Sequence, residues 1–387
     1  MTPTQSDLIR LLRCAVLGEP LPGDYAPKDG QELLALAKTH DLAHLVSFAL
    51  REHGLLDPAD AVGKEFDRQQ MLAIWRVSVL EHDLAELRAA FEAAGAAFIP
   101  LKGTVLRSLY PEPWMRPSAD IDILMRPDAV AGAVEALAAP GWKSGAVGGN
   151  YCHIESPSGF HIDLHTSLLK DGGAACPPLE AAWETAVPVR EGAAEHRLSD
   201  AMFYLFHVYH AAHHMRHGSC GVRAVLDTWL LNHRVDFAAA ARRALLEQGG
   251  LARFADTLEA VAEAWFSGAP TDARYAEAEQ LIFLGGVYLG AHNITAAQAS
   301  AGGSGAYVLR RVFPSRSLLR AAYPVLDRLP WLLPVCWTHR LFRVLLDGKW
   351  NAAQNELRSV GTGDAHARAM AKVFADIGLT DRIGGSS

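Results

Sequence analysis

Three aspartates near the middle of the 387-residue chain have the types and spacing that metal-dependent chemistry requires. Asp120 and Asp122 are separated by one residue, and Asp163 follows about forty positions later. Alternate side chains of a β-strand point to the same face, so we expect Asp120 and Asp122 side by side, with Ile121 and Ile123 in the core. Two adjacent carboxylates repel each other unless a cation lies between them. A hard divalent ion with oxygen ligands, such as Mg²⁺, meets that need.

Asp163 belongs to a second alternating segment, His161–His165, in which Ile162 and Leu164 are expected to face the core. A neighbouring strand can bring Asp163 beside the first pair, and three carboxylates on adjacent strands can hold two metal ions. We therefore predict that Asp120, Asp122 and Asp163 are the catalytic residues and ligate two Mg²⁺ ions, with Mn²⁺ as the alternative. The competing interpretation is that Asp120 and Asp122 are ordinary polar residues on a solvent-exposed face of the sheet.

Lys102–Gly103–Thr104 stands where a short apolar segment ends and a helix begins. Backbone N–H groups at a helix start attract phosphate, Gly103 permits close approach, and Lys102 adds a positive charge. Arg116, four residues before Asp120, supplies a further cation. A plain tight turn with a solvated lysine is the structural alternative.

These residues lie in a stretch of mixed secondary structure between two helical regions. Short apolar or alternating segments predict strands at 98–101, 121–125, 151–155 and 160–168, and helical spacing predicts helices at 104–110 and 129–138. We predict an α+β fold in which a small mixed sheet with flanking helices is embedded between helical regions. The expected units are an N-terminal helical region (1–95), an α/β core (96–198) and a C-terminal helical region (199–387).

The order of these motifs along the chain gives residues 96–170 a resemblance to a known superfamily. This is the nucleotidyltransferase superfamily that includes DNA polymerase β and the aminoglycoside nucleotidyltransferases. The chain resembles more closely the bacterial uncharacterised nucleotidyltransferase family. That family has a leucine-lysine-glycine turn, an arginine before Asp-x-Asp, and a third acid followed by a histidine. The matching residues here are Leu101, Lys102, Gly103, Arg116, Asp120, Asp122, Asp163 and His165.

The resemblance implies a Mg²⁺-dependent enzyme that transfers a nucleoside monophosphate from an NTP to a hydroxyl or phosphate acceptor and releases pyrophosphate. It implies a nucleotide site formed by Lys102, Gly103, Thr104, Arg116, His165, His207, His214 and Arg223. Lys102–Gly103–Thr104 departs from the Gly-Ser or Gly-Gly turn of the wider superfamily, and the third acid is aspartate where many relatives carry glutamate. The acceptor indicated by relatives is a small molecule or a peptide natural product.

Five histidines fall within residues 207–217, and His207, His210 and His214 share one helical face. This face could bind a transition metal, line the nucleotide cleft or pack in the core beside aromatic residues. The resemblance favours the cleft. Arg223 and Asp227 are four residues apart, which suits either a surface ion pair or an arginine that contacts phosphate and is oriented by the aspartate.

Composition limits the classes of partner. The net charge of −7 argues against a generally basic nucleic-acid coat. Residues 310–350 nevertheless contain eight basic and two acidic side chains with three tryptophans interleaved, which suits an amphipathic helix pair, nucleic acid or an anionic membrane surface. Scattered cysteines, no signal peptide and no apolar span predict a cytoplasmic protein without a membrane-spanning helix.

Three other functions are compatible with the sequence. A toxin-like nucleotidyltransferase that modifies the 3′ end of tRNA would use the basic stretch at 310–350. A protein that binds partners without catalysis could retain the same scaffold, although three preserved acids argue against it. A hydrolase could use a metal held by the histidines of residues 207–217.

Overall fold

The computed structural model describes most of the chain, with gaps concentrated toward its C-terminal end. The described residues are 1–138, 140–148, 151–169, 175–216, 218–270, 272–285, 313, 316–319, 323–327, 329–346 and 372–379. His217 lies outside these ranges, as do five of the eight basic residues of the stretch at 310–350, namely Arg310, Arg311, Arg320, Arg328 and Lys349.

Helices form the N-terminal region, as predicted. Their bounds are α1 (Pro3–Leu12), α2 (Gly30–Thr39), α3 (Ala43–Glu52) and α4 (Ala61–Ala94). The side chain of Thr2 accepts a hydrogen bond from the backbone N–H of Gln5, and the side chain of Gln5 accepts one from the N–H of Thr2, so α1 begins at a capping box. Gly95 ends α4 with a left-handed backbone that a glycine adopts without steric cost.

A five-stranded mixed sheet follows, in the spatial order β1-β2-β5-β4-β3. Its strands are β1 (Phe98–Pro100), β2 (Asp120–Met125), β3 (Lys143–Gly148), β4 (Tyr151–Glu155) and β5 (His161–His165), with helices α5 (Gly103–Leu106) and α6 (Val130–Ala138) between them. β2 and β5 are parallel, while β1 is antiparallel to β2 and β4 is antiparallel to β5. The sheet confirms the predicted fold class and brings the two aspartate-bearing strands together at its centre.

One face of this sheet is apolar and is covered by α4 and α6. Ile121, Ile123, Ile162 and Leu164 are at most 2% exposed and join a core cluster with Leu87 of α4. Because strand side chains alternate, burial of these four residues turns their aspartate and histidine neighbours to the other face. The long α4 thereby links the N-terminal helices to the core that holds the site.

Further helices follow the sheet and are interrupted near their start by a two-stranded ribbon. The elements are α7 (Pro177–Glu180), β6 (Val187–Pro188), β7 (His196–Arg197), α8 (Asp200–Arg216), α9 (Gly221–Arg234), α10 (Ala239–Gln248), α11 (Ala252–Phe266), α12 (Ala276–Leu284), α13 (Arg316–Leu319) and α14 (Leu333–Leu346). α8 and α9 contribute Tyr204, Tyr209 and Leu226 to a large cluster that also contains the N-terminal helices. The helices that precede the sheet in the chain and those that follow it thus share one apolar core.

The structure differs from the predicted elements in several places. The ribbon of β6 and β7 was not predicted, and the strand expected at 160–168 ends at His165. β3 was not predicted, because Lys-Ser-Gly-Ala-Val-Gly lacks the regular alternation of large apolar residues that marks a strand. The helix expected at 104–110 is shorter, since α5 spans Gly103–Leu106 and a 3₁₀ turn continues it over Arg107–Leu109. Within the part of the chain that the structure describes, no helix is long and apolar enough to cross a membrane.

Candidate functional site

The polar face of the sheet carries the predicted aspartates. Asp122 of β2 pairs in register with Asp163 of β5, and Asp120 pairs with His161. Neighbouring strands of a sheet lie about 4.8 Å apart, so this register brings the two carboxylates into one small region. The predicted meeting of Asp163 with Asp122 is therefore confirmed by the parallel register of two central strands.

Asp122, Asp163 and His165 converge most closely. One ligand atom from each lies within 4.8 Å of the others, and among the described residues these three form the group of side chains that could hold a metal ion. Asp120 lies at the start of the same strand, on the same face, and is partly buried. Two carboxylates and an imidazole are suitable donors for a divalent cation, so the residues present fit a metal ion.

Lys102 contacts the innermost of these aspartates. Its Nζ lies 2.7 Å from Oδ1 of Asp122, and Nε2 of His165 lies 2.6 Å from the same oxygen. Burial disfavours the charged form of Asp122, which is 4% exposed, but the Lys102 ammonium and the hydrogen bond with His165 together lower the pKa of this carboxyl below its ordinary value. Asp122 is therefore held as a carboxylate.

The turn that carries Lys102 has an unusual backbone. Lys102 has φ +44° and ψ −115°, a region that residues with a Cβ rarely adopt. At Gly103, an added Cβ would lie 2.9 Å from Cβ of Ser118 and 3.0 Å from its Oγ. Gly103 therefore allows this turn to approach the segment before β2, and partly buried Thr104 continues into α5. The sequence suggested that Gly103 lets a phosphate come close to the backbone, but in the structure Ser118 occupies the space beside Gly103.

A cleft between this turn and helices α8 and α9 gathers most of the predicted nucleotide-binding residues. Five of the eight line it, namely Lys102, Arg116, His207, His214 and Arg223. Phe203, Phe206 and His210 of α8 also line the cleft. Lys102 belongs both to this cleft and to the Asp122 contact, so the cationic cleft and the carboxylate cluster adjoin each other through one side chain.

Arg116 lines the cleft while engaged by acceptors of the protein itself. Its Nε and Nη2 donate to the carboxylate of Asp227 at 2.9–3.2 Å, and its Nη1 donates to the carbonyl of Pro117 at 3.0 Å. Tyr110 Oη donates to the same carboxylate at 2.8 Å. Burial disfavours the charged form of Asp227, but Arg116 lowers the pKa of this carboxyl, so a buried ion pair holds the cleft wall in place.

Arg223 has a different partner from the one that its spacing suggested. Its Nη1 lies 2.6 Å from Oδ2 of Asp41, in the turn between α2 and α3, rather than pairing with Asp227 one helical turn away. Asp41 has φ +55°, a conformation that aspartate tolerates better than most residues. The ion pair joins the N-terminal helices to the cleft, and Asp227 is taken by Arg116 instead.

The histidines of α8 divide between burial and the cleft. His207 is buried, its Nε2 lies 2.8 Å from the hydroxyl of Thr228, and burial lowers its pKa to about 4. Nε2 of His214 lies 3.2 Å from Nε2 of His210. Within the described part of α8, these histidines form no set of three converging metal ligands. Their shared helical face lines the cleft, as the sequence predicted.

His153 of β4 also belongs to the site, although the sequence did not predict it. Its Nδ1 lies 2.9 Å from Oδ1 of Asp163, and its Nε2 lies 2.8 Å from Nδ1 of His161. The available signal was alternation, because His153 stands between buried Cys152 and Ile154 and must face the same side as Asp163.

Comparisons with known proteins agree with this arrangement. The model of a family described as uncharacterised nucleotidyltransferase matches residues 26–267, which include the polar sheet face and the cleft. No curated protein and no solved structure matches the chain.

Proposed function

The chain belongs to the uncharacterised nucleotidyltransferase family, and we propose that it transfers a nucleoside monophosphate from an NTP to a hydroxyl or phosphate acceptor with release of pyrophosphate. The observation that carries this proposal is the register of Asp122 with Asp163 beside a cleft lined by Lys102, Arg116 and Arg223. A carboxylate cluster next to a cationic cleft suits a metal-bound polyphosphate, because one part takes the cation and the other the anion.

The proposed metal ligands are Asp120, Asp122 and Asp163, with two Mg²⁺ ions as the expected cofactor and Mn²⁺ as the alternative. Asp122 and Asp163 converge with His165 in a group that fits a divalent ion, which supports the assignment of these two aspartates. Asp120 is assigned because it lies on the same face at the start of β2. Such ions neutralise phosphate charge and activate an acceptor oxygen. The catalytic contribution of the chain itself is to place carboxylates on rigid, paired strands.

We assign the triphosphate to the cleft lined by Lys102, Arg116, His207, His214 and Arg223, with Gly103, Thr104 and His165 as neighbouring residues of the site. α5 has four residues, so its dipole contributes little, and the attraction for phosphate comes mainly from side-chain cations. The side chain of Arg223 is 12% exposed and that of Lys102 is 19% exposed, so both cations that line the cleft keep some access to an incoming ligand. Arg116 supports the cleft through its ion pair with Asp227.

The proposed acceptor is a small molecule or a peptide. For transfer, its hydroxyl or phosphate oxygen must lie near the carboxylate cluster. Asp163 is 28% exposed at its side chain, against 5% for Asp122, so it is the more accessible of the two paired aspartates. We assign Asp163 to the acceptor side, where it would complete the metal site and help to deprotonate the acceptor.

The test is label transfer from each α-³²P NTP to candidate acceptors, in the presence of Mg²⁺ or Mn²⁺. Wild type and Asp122→Ala are compared, with Asp128→Ala as the matched control because Asp128 is exposed and lies in the turn after β2 rather than on the strand itself. We expect transfer by wild type and Asp128→Ala alone. Transfer that is undiminished in Asp122→Ala would contradict the assignment.

A further inference from the structure

Oδ1 of Asp122 is contacted by two side chains at once. It receives the Lys102 ammonium at 2.7 Å and lies 2.6 Å from Nε2 of His165. Asp122 is 4% exposed, so water has little access to neutralise its charge. A buried carboxylate is costly unless it is paired, and Lys102 is the cation that pairs with it here.

A divalent cation would have to use the same carboxylate. Asp122 belongs to the group of three side chains that converge on one position, together with Asp163 and His165. An ammonium and a metal ion on one buried oxygen would repel each other strongly at such short range. Lys102 therefore competes with a metal ion for Asp122.

The position of Lys102 gives it a second destination. Its side chain also lines the cleft that contains Arg116 and Arg223, and the lysine side chain is a flexible four-carbon stem. The backbone at Lys102, with φ +44°, holds the residue at the border between the carboxylate cluster and the cleft. Rotation about such a stem can carry an ammonium from a carboxylate to a neighbouring anion.

We propose that Lys102 is the resident counter-cation of Asp122, which weakens metal binding in the nucleotide-free protein, and that a polyphosphate in the cleft draws the ammonium away. The second half rests on the proposed function, whereas the competition with metal does not. Metal then binds tightly together with nucleotide rather than before it. A lysine that served phosphate alone would have no effect on metal affinity in the absence of nucleotide.

The experiment measures the dissociation constant of Mn²⁺ by electron paramagnetic resonance, without nucleotide and with a saturating α,β-methylene NTP. Without nucleotide, we expect Lys102→Met to bind Mn²⁺ at least about tenfold more tightly than wild type, the size of one lost charge-assisted contact. The analogue should improve Mn²⁺ affinity more in wild type than in Lys102→Met. Loss of a purely structural lysine would weaken Mn²⁺ binding instead.

Two controls keep the measurement decisive. Lys38→Met removes the same charge from an exposed ion pair with Glu65 and should leave Mn²⁺ affinity at the wild-type value. Lys102→Gly removes the ammonium from a backbone that suits glycine, so it should fold at least as well as Lys102→Met and show the same tightening. Asp122→Asn should abolish tight binding in either background.

Equal or weaker Mn²⁺ binding by both Lys102 variants without nucleotide would overturn the counter-cation role, whatever the enzymatic result. Tighter binding in both variants, combined with no effect of any NTP analogue on wild type, would retain that role and overturn the coupling to nucleotide. Label transfer by wild type with unchanged Mn²⁺ affinity in the variants would leave the proposed function standing and remove only this inference.

Discussion

Arg116 and Asp227 form a buried ion pair across 111 sequence positions, with Nη2 2.9 Å from Oδ2 and Nε 3.0 Å from Oδ1. Arg116 lies just before β2, and Asp227 lies in the middle of α9, so the pair joins the sheet to the helices that line the cleft. Both side chains are under 10% exposed. Tyr110 donates to the same carboxylate and completes the network.

The first prediction concerns this pair. Asp227→Asn leaves the Arg116 guanidinium buried without its counter-charge, so we expect the free energy of unfolding to fall by about 3–5 kcal/mol in urea titrations. Asp256→Asn is the matched control, because Asp256 pairs with Arg243 at the surface, and it should cost less than about 1 kcal/mol. Similar losses in the two variants would show that burial does not set the strength of the Arg116 pair.

The second prediction concerns His153, which orients the carboxylate of Asp163 through a 2.9 Å contact. Partners of this kind typically affect metal affinity or activity by about 10–100-fold. We expect His153→Ala to weaken Mn²⁺ binding and lower kcat within that range with little change in KM for the NTP. His153→Asn should retain part of both, since its amide can still donate a hydrogen bond.

A histidine elsewhere on the surface provides the control for that measurement. His82 is 68% exposed at its side chain on α4, so His82→Ala should leave both Mn²⁺ affinity and kcat unchanged. Wild-type values for His153→Ala would exclude a positioning role for His153.

The third prediction concerns the close packing of the Lys102–Gly103 turn. In Gly103→Ala, the new methyl would lie 2.9 Å from Cβ of Ser118, and overpacking of this kind costs about 1–3 kcal/mol. Thermal unfolding should show this loss, and the added substitution Ser118→Gly should recover part of it. Gly23→Ala meets open space and serves as the control. A Gly103→Ala protein as stable as wild type would contradict the contact.

The fourth prediction is loss of stability in acid. Burial lowers the pKa of His44 and of His207 from the ordinary 6.5 to about 4, so both stay neutral when folded. Between these values the unfolded chain binds protons that the folded chain does not, and stability therefore falls as the pH drops from about 7 toward 4. Each histidine should contribute a loss of about 2 kcal/mol between pH 7 and pH 5.

Urea unfolding at the two pH values tests this directly. His44→Gln keeps a donor for the carbonyl of Met115, which lies 3.0 Å from Nε2 of His44, and removes one titrating group. The variant should therefore lose about 2 kcal/mol less than wild type on acidification. An identical decline in both proteins would show that His44 does not contribute to the acid sensitivity.

Much of the sheet could be predicted because strand signals are local. Alternation in 121–125 and 161–165 identified two strands, and it also decided which side chains face the core. β3 was not predicted because its glycines and serine show no such alternation. The order β1-β2-β5-β4-β3 depends on how strands pack after the chain has collapsed, which no two-residue period encodes.

The amino-acid sequence by itself determined that Asp120 and Asp122 share one face and that Asp163 belongs to a similar strand. Only the tertiary structure decided that Asp122 meets Asp163, that Lys102 pairs with Asp122, and that Arg223 pairs with Asp41 across 182 positions. The physical reason is the distance along the chain over which each feature is determined. A strand repeats its orientation every two residues, so its two faces can be predicted from the local sequence. A buried charge instead takes the partner that the packing of distant elements brings within about 3 Å.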